Sequence, residues 1–307
     1  MTLPTSASPS GPPPVHSRHV SAAGLDLHYL ECGSGDPVLL LHGWPTSSFL
    51  YRNILPGLAA AGRRAIALDL PGFGRSSKPL DVRYSFDFYA RALDGFTAAL
   101  GLERFGLVVH DLGGPVGLYW ACNDLPRIER LALLNTLVYP ELSAAVIAFG
   151  LACLVPGVRS LLTSAAGLRF AMHLGVADKH RLQPDTIAGT LAPFQTRAAR
   201  AALLRSALGL SARGLRHIAT TLPSLRAPVR IIYGARDRIL PDVATTMRRV
   251  ARDLPQATLT ELPDCGHFLQ EERPQEVAAL LAQFFAGPAA TTGAATGVGS
   301  NGSGRHR

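Results

Sequence analysis

Asp111 has the surroundings most suggestive of chemistry. It ends the apolar run Leu107-Val108-Val109-His110 and precedes Leu112-Gly113-Gly114-Pro115-Val116-Gly117-Leu118. The run predicts a buried strand, the paired glycines a sharp turn, and the segment beyond them a helix. An ionisable side chain therefore stands at the tip of a strand–turn–helix unit. Asp is a favoured helix N-cap, but a cap needs neither His110 before it nor Gly113-Gly114 after it. A carboxylate nucleophile at such a tip selects its substrates. Attack on an ester carbonyl gives an anhydride, a poor route. Attack on a saturated carbon bearing a leaving group gives an alkyl ester that water can cleave. Carbon–halogen and epoxide centres are thus the expected targets.

Such a nucleophile needs a base, an orienting acid and donors for an oxyanion. His267, in Leu262-Pro263-Asp264-Cys265-Gly266-His267-Phe268, follows the last strand-like run and is the candidate general base for the hydrolytic water. Asp237, in Tyr233-Gly234-Ala235-Arg236-Asp237-Arg238, ends the preceding strand and is the candidate acid that fixes the imidazole tautomer. Asp242 and Asp264 are weaker competitors. The backbone N–H groups of Leu112 and Trp44, the latter in His42-Gly43-Trp44-Pro45, are the expected oxyanion donors. Trp44, Tyr139 and Asn135 are the candidates for contact with the leaving group or substrate.

These residues need a scaffold that brings strand ends together. Strands are expected at Leu25–Glu31, Val38–Leu41, Arg64–Leu68, Phe105–His110, Leu131–Leu134, Val229–Tyr233 and Thr258–Leu262. Helices alternate with them: after Ser48 to about Ala61, then Phe86–Leu100, Gly114–Cys122, Asp242–Ala251 and about Pro274–Phe285. From Tyr139 to about Pro223 the chain is Leu/Ala/Arg-rich and broken by Pro156, Pro184 and Pro193, which predicts a helical insertion. The alternation implies an α/β architecture, a parallel sheet covered by helices. Ligands in such sheets sit at the carboxyl ends of the strands, where every candidate residue falls.

Composition narrows the function classes. A hydrophobic fraction of 47% and a charged fraction of 17% fit a globular chain with a sizeable core. The net charge of +8 is almost wholly arginine, the only lysines being Lys78 and Lys179. Arginines in Arg197–Arg216 and Arg248–Arg252 recur at helical spacing, which predicts solvated helix faces rather than a nucleic-acid surface. Cys32, Cys122, Cys153 and Cys265 are scattered, so buried thiols are expected rather than a disulfide frame or a metal site. The longest apolar run, Ala144 to Pro156, is too short to span a bilayer. No membrane partner, no cofactor and a cytoplasmic location are therefore expected, with small apolar substrates and water as the partners. Oligomeric state is left open.

The chain resembles the α/β-hydrolases with an aspartate nucleophile, and among them the haloalkane dehalogenases. The segments that carry the likeness are His42-Gly-Trp-Pro-Thr-Ser-Ser-Phe-Leu-Tyr-Arg52, Asp69-Leu-Pro-Gly-Phe-Gly-Arg-Ser-Ser-Lys-Pro79, Tyr84 to Leu102, Asp111-Leu-Gly-Gly-Pro-Val-Gly-Leu118 and Cys265-Gly-His-Phe268. The resemblance covers about residues 20–286 and is weakest in the insertion. It implies the α/β-hydrolase fold: a mostly parallel eight-stranded sheet, helices on both faces and a helical cap. The expected division is 1–17 disordered, 18–137 with 224–286 as the core, 138–223 as the cap, and 287–307 as a disordered tail. Two departures stand out. Val109 takes the place of the elbow's first glycine, and Leu112 takes the place of the tryptophan that dehalogenases of this kind use as a halide donor. Epoxide hydrolases are the next resemblance, and a binding module on the same scaffold is the reading of another class. Cap tyrosines protonate the oxide in epoxide hydrolases, sometimes with a histidine replacing one; Tyr139 is the only tyrosine in this insertion, and His173, His180 and His217 are the other cap candidates.

Overall fold

In the computed structural model, which describes residues 11–287, eight strands form one sheet in the order β1-β2-β4-β3-β5-β6-β7-β8. The strands are β1 His16–Ala22, β2 Leu25–Cys32, β3 Asp36–Leu41, β4 Arg63–Leu68, β5 Phe105–Asp111, β6 Ile128–Thr136, β7 Val229–Gly234 and β8 Ala257–Leu262. Pairing is parallel from β4 through β3 to β8, while β1 and β2 run antiparallel at one edge. Every expected strand is present, and β1 is an addition to them.

The central strands are apolar throughout because both of their faces are covered. Leu39, Leu41, Leu107, Val109, Leu131 and Leu133 point to one face, and Val38, Leu40, Val108, Ala132 and Leu134 to the other. The first layer is closed by α2 Phe86–Ala99, α3 Gly113–Ala121 and α10 Val243–Asp253. The second is closed by α1 Leu55–Ala60 and α12 Pro274–Ala286, with the short α11 Leu269–Glu272 beside them. Val109 is buried in the first of these layers.

β1 escaped the periodicity because His16-Ser-Arg-His-Val-Ser-Ala22 is mostly polar and exposed, as suits a sheet edge. Its first two residues overlap the stretch 1–17 expected to be disordered, and that expectation is corrected for His16 and Ser17: main-chain pairing with β2 orders them. Residues 1–10 and 288–307 lie outside the described residues.

Between β6 and β7 the secondary structure is helical: α4 Ala144–Leu154, α5 Pro156–Leu162, α6 Ala165–Gly175, α7 Pro184–Leu191, α8 Arg197–Ala207 and α9 Ala212–Thr221, with short 3₁₀ turns between some of them. Pro156 and Pro184 begin helices rather than merely interrupting them, since the first helical position needs no N–H. Ser143, Ser164, Thr196 and Ser211 cap α4, α6, α8 and α9 with their side chains. The expected cap boundary at residue 223 shifts. Helix α9 packs on the core, with Gly214 against the Phe86 ring of α2 and His217 against Tyr119 of α3, so it serves as the crossover into β7. A helical period in sequence does not reveal which layer a helix joins.

Candidate active site

The turn between β5 and α3 puts Asp111 at φ 49°, a left-handed conformation that costs a non-glycine residue energy and persists only where its neighbours enforce it. Two neighbours do so. Thr136 Oγ1, at the end of β6, donates to the Asp111 carbonyl at 2.7 Å. Gly114 lies so close to the Thr136 side chain that a Cβ there would overlap Oγ1. The loop after β3 approaches from the other side, and a Cβ on Gly43 would collide with the Asp111 side chain. That close approach delivers the Trp44 N–H to Asp111 Oδ1 at 2.6 Å. The Leu112 N–H is the second backbone donor to the carboxylate.

His267 sits on the loop between β8 and α11 and is fully buried. Its Nδ1 donates to Asp237 Oδ2 at 2.7 Å, and its Nε2 stands 3.3 Å from Asp111 Oδ2 without completing a hydrogen bond. Asp237 is held in turn: Oδ1 accepts the N–H groups of Ile239 and Leu240, and Oδ2 accepts the Asn135 amide at 2.7 Å. The competing Asp264 is exposed and paired with Arg236, and Asp242 precedes α10 without meeting the imidazole. The structure thus brings Asp111, His267, Asp237, Trp44 and Leu112 together.

All three expected substrate contacts are corrected. Asn135 is buried behind Asp237, its Oδ1 accepting the Gly234 N–H at 2.9 Å, so it braces the acid. The Tyr139 hydroxyl donates to Asp253 at 2.6 Å and its ring lies under the Arg249 guanidinium, both on or beside α10. The Trp44 indole N–H donates to the Leu203 carbonyl of α8 at 3.1 Å, which commits it to the cap. A contact with a ligand needs a free donor, and sequence alone does not show which donors the fold has already engaged.

Other supporting residues carried no sequence signal. Glu272 accepts the N–H of Gly266 at 2.6 Å and those of Ala177 and Asp178 at 2.9 Å, which pins the loop bearing His267 to the turn after α6. The His267 N–H itself donates to Gly175 at 2.6 Å. His110, next to the nucleophile candidate, donates from Nε2 to the His267 carbonyl at 3.0 Å. Burial, followed by the charge of His267, pushes the His110 pKa down to about 3, so it is neutral.

The charges in the group shift one another's protonation. Burial opposes ionisation of Asp111, but the His267 contact and charge, His110 and the Leu112 N–H outweigh it and hold the pKa below the usual carboxylate value. Burial opposes protonation of His267, and the Asp237 and Asp111 carboxylates outweigh that, raising its pKa to about 10. The resting site is therefore an imidazolium between two carboxylates. Among the described residues no group of three or more His, Cys, Asp or Glu is placed to hold a metal ion. All four cysteines are buried and unpaired. A cavity of about 310 Å³ lies in the cap, its lining including Leu168, Ile187, Leu191 and Phe194 with Arg169 and Arg200.

Strand order, elbow and strand-end cluster define an α/β-hydrolase, and the family model described as the alpha/beta hydrolase fold matches residues 36–150. The chain is 32% identical over 279 residues to haloalkane dehalogenase 2 of Mycobacterium tuberculosis (strain ATCC 25618 / H37Rv), covering 89% of this chain and 96% of that protein. It is 30% identical over 282 residues to the soluble epoxide hydrolase of Corynebacterium sp. (strain C12), covering 86% and 94%. The crystal structure of haloalkane dehalogenase DbeA from Bradyrhizobium elkani USDA94 superposes with a TM-score of 0.79 at 26% identity, over 89% of this chain and 98% of that one. The chain belongs to the α/β-hydrolase family and is a hydrolase, with haloalkane dehalogenases and epoxide hydrolases among its relatives.

Proposed function

We propose that the protein is a haloalkane dehalogenase acting on small apolar substrates through a covalent ester on Asp111. The observation that carries this reading is an aspartate at the elbow tip, with two backbone N–H donors on its carboxylate and a buried His–Asp pair beside it. An Asp111 oxygen attacks the halogen-bearing carbon; a C–O bond forms as the C–halogen bond breaks and halide departs. No proton is needed in that step, so a protonated His267 is no obstacle. Esterification then removes the Asp111 charge, one of the forces holding the proton on His267, and the imidazole pKa falls. His267 then gives up its resting proton to solvent, the proton that accompanies the halide overall. The neutral imidazole takes a proton from water as the hydroxide adds to the ester carbonyl, whose oxyanion the Trp44 and Leu112 N–H groups stabilise. Collapse breaks the acyl C–O bond, and the leaving alkoxide takes the proton of the added hydroxyl, which releases the alcohol and restores the Asp111 carboxylate beside a protonated His267.

The position of Tyr139 favours this over epoxide opening, which wants an acid aimed from the cap at the departing oxygen. Tyr139 is engaged with Asp253, His173 with the Arg169 carbonyl, His217 packs by Tyr119, and His180 is exposed to solvent. With Leu112 beside the nucleophile and the Trp44 indole engaged, halide departure rests on intrinsic leaving-group ability. Bromides and iodides should therefore outpace chlorides.

The deciding experiment follows halide from 1-bromohexane and diol from 1,2-epoxyhexane side by side. Halide without diol is expected; diol without halide would overturn the reading in favour of an epoxide hydrolase. His267→Ala should accumulate an alkyl adduct on Asp111, visible as an added mass. An unmodified Asp111 in a variant that has released halide would remove the ester from the mechanism.

A further inference from the structure

The cap carries a surface that the reaction does not use. Seven of the eleven large hydrophobic side chains exposed among the described residues fall between Ile147 and Phe170, on α4, α5, α6 and the bend at Val155. Leu151 and Leu154 are 60% exposed, Leu161 62% and Phe170 66%. Helix α4, Ala-Ala-Val-Ile-Ala-Phe-Gly-Leu-Ala-Cys-Leu, has no polar face at all, although it lies at the surface. Helices α4 and α5 bend by 112° at their junction, and no single helix among the described residues is long and apolar enough to cross a membrane. Scattered exposed apolar residues are ordinary, whereas one concentrated patch marks a contact surface.

Charge identifies what the patch meets. From Leu142 to Ala177 there is no Asp or Glu, while Arg159 and Arg169 are exposed within the patch. A second copy of the chain would set those arginines against their own kind. Residues 1–10 and 288–307 offer only Met1, Leu3 and Val298 as large aliphatic side chains, too little for these stretches to cover the face. An anionic lipid surface matches both features, since apolar side chains enter the headgroup boundary while cations pair with lipid phosphates. The net charge of +8 attracts the whole molecule to the same surface.

We infer that the α4–α6 face of the cap docks the protein on anionic bilayers, lying in the interface rather than spanning it. The absence of a membrane partner expected from the short apolar run is thereby revised: length excludes a span, not a surface contact. The inference does not rest on the chemistry of Asp111, but the two meet in the fold. Phe149 of α4 packs edge-to-face on Trp44 with ring centroids 4.9 Å apart, and the Trp44 N–H donates to Asp111. An apolar substrate dissolved in lipid would thus be delivered beside the helix that adjoins the site.

Co-sedimentation with phosphatidylcholine vesicles, with and without about one-third phosphatidylglycerol, tests the docking without substrate. The wild-type protein is expected to pellet with the mixed vesicles and to be partly released by salt. Leu151→Glu and Phe170→Glu, at exposed positions, should each lower the bound fraction on the order of tenfold. Arg159→Gln with Arg169→Gln should markedly weaken the preference for the anionic vesicles, with an unchanged circular dichroism spectrum. A wild-type protein that stays in the supernatant overturns the inference, as does equal binding to both vesicle types. A lipid-free dimer that Leu151→Glu converts to a monomer would assign the face to a second copy and overturn it equally.

Discussion

His267 lies between two carboxylates, and in the proposed reaction that placement gives it opposite tasks at two stages. At rest its charge helps keep Asp111 ionised; in the proposal, alkylation of Asp111 lets it become a base. The resting arrangement has a thermodynamic signature. The folded-state pKa of about 10 lies above the ordinary value of 6.5, so His267 contributes stability fully present below 6.5 and lost as the pH rises through about 10. Wild-type unfolding free energy, measured by urea titration, should therefore decline between about pH 7 and 10. In His267→Gln that decline should be markedly shallower, and an unchanged slope would mean that the imidazole is not charged at rest. Asp111, Asp237 and His267 were legible because each ends a strand-like run beside turn-forming glycine. Asn135 and Thr136 carry no mark of their supporting roles, because a buried amide or hydroxyl looks the same in sequence whatever it binds.

At the scale of elements, the β1–β2 hairpin shows a different limit. Its two-residue turn, Ala23-Gly24, has φ of 52° and 74°, the left-handed pair that suits the twist of adjoining strands. Ala-Gly is a weak form of the Asn-Gly signal that would have announced a hairpin. Ala23 is exposed and without a side-chain partner to lose, so Ala23→Asn should stabilise the protein by about 0.5 kcal/mol, read as a rise in the thermal midpoint. No gain would show that β1 is already unpaired near the transition. Helix α9 teaches the complementary point: its amphipathic period was visible, but its place on α2 and α3 depended on contacts far away in sequence.

Across the whole molecule, cap and core are joined by buried charge as well as by apolar packing. Arg52 makes a two-point ion pair with Glu271 at 2.7 and 2.8 Å and also donates to Thr186 on α7 at 3.0 Å. The Glu271 side chain is nearly fully buried, so removing its partner leaves a carboxylate uncompensated. Arg52→Leu should cost about 3 kcal/mol in urea unfolding and should raise hydrogen exchange in α7 first. The double variant Arg52→Leu/Glu271→Leu should recover most of that loss; if it does not, packing rather than charge is what the pair supplies. Neighbouring Glu272 ties the His267 loop to the turn after α6, so the two adjacent acids connect cap and site from one short helix.

The sequence by itself determined the architecture and which residues gather at the strand ends. Strand-length apolar runs, helical periods and glycine-bearing turns are local signals, and their order along the chain dictated a parallel sheet with Asp111, Asp237 and His267 at its strand ends. Only the tertiary structure decided which polar groups remain free to act. It engaged the Trp44 indole with Leu203 and Tyr139 with Asp253, turned Asn135 from substrate contact into support, and left the apolar face of α4–α6 exposed. The physical reason is that a hydrogen bond or a buried face belongs to a pair of surfaces. A sequence names one member of the pair, and the fold supplies the other.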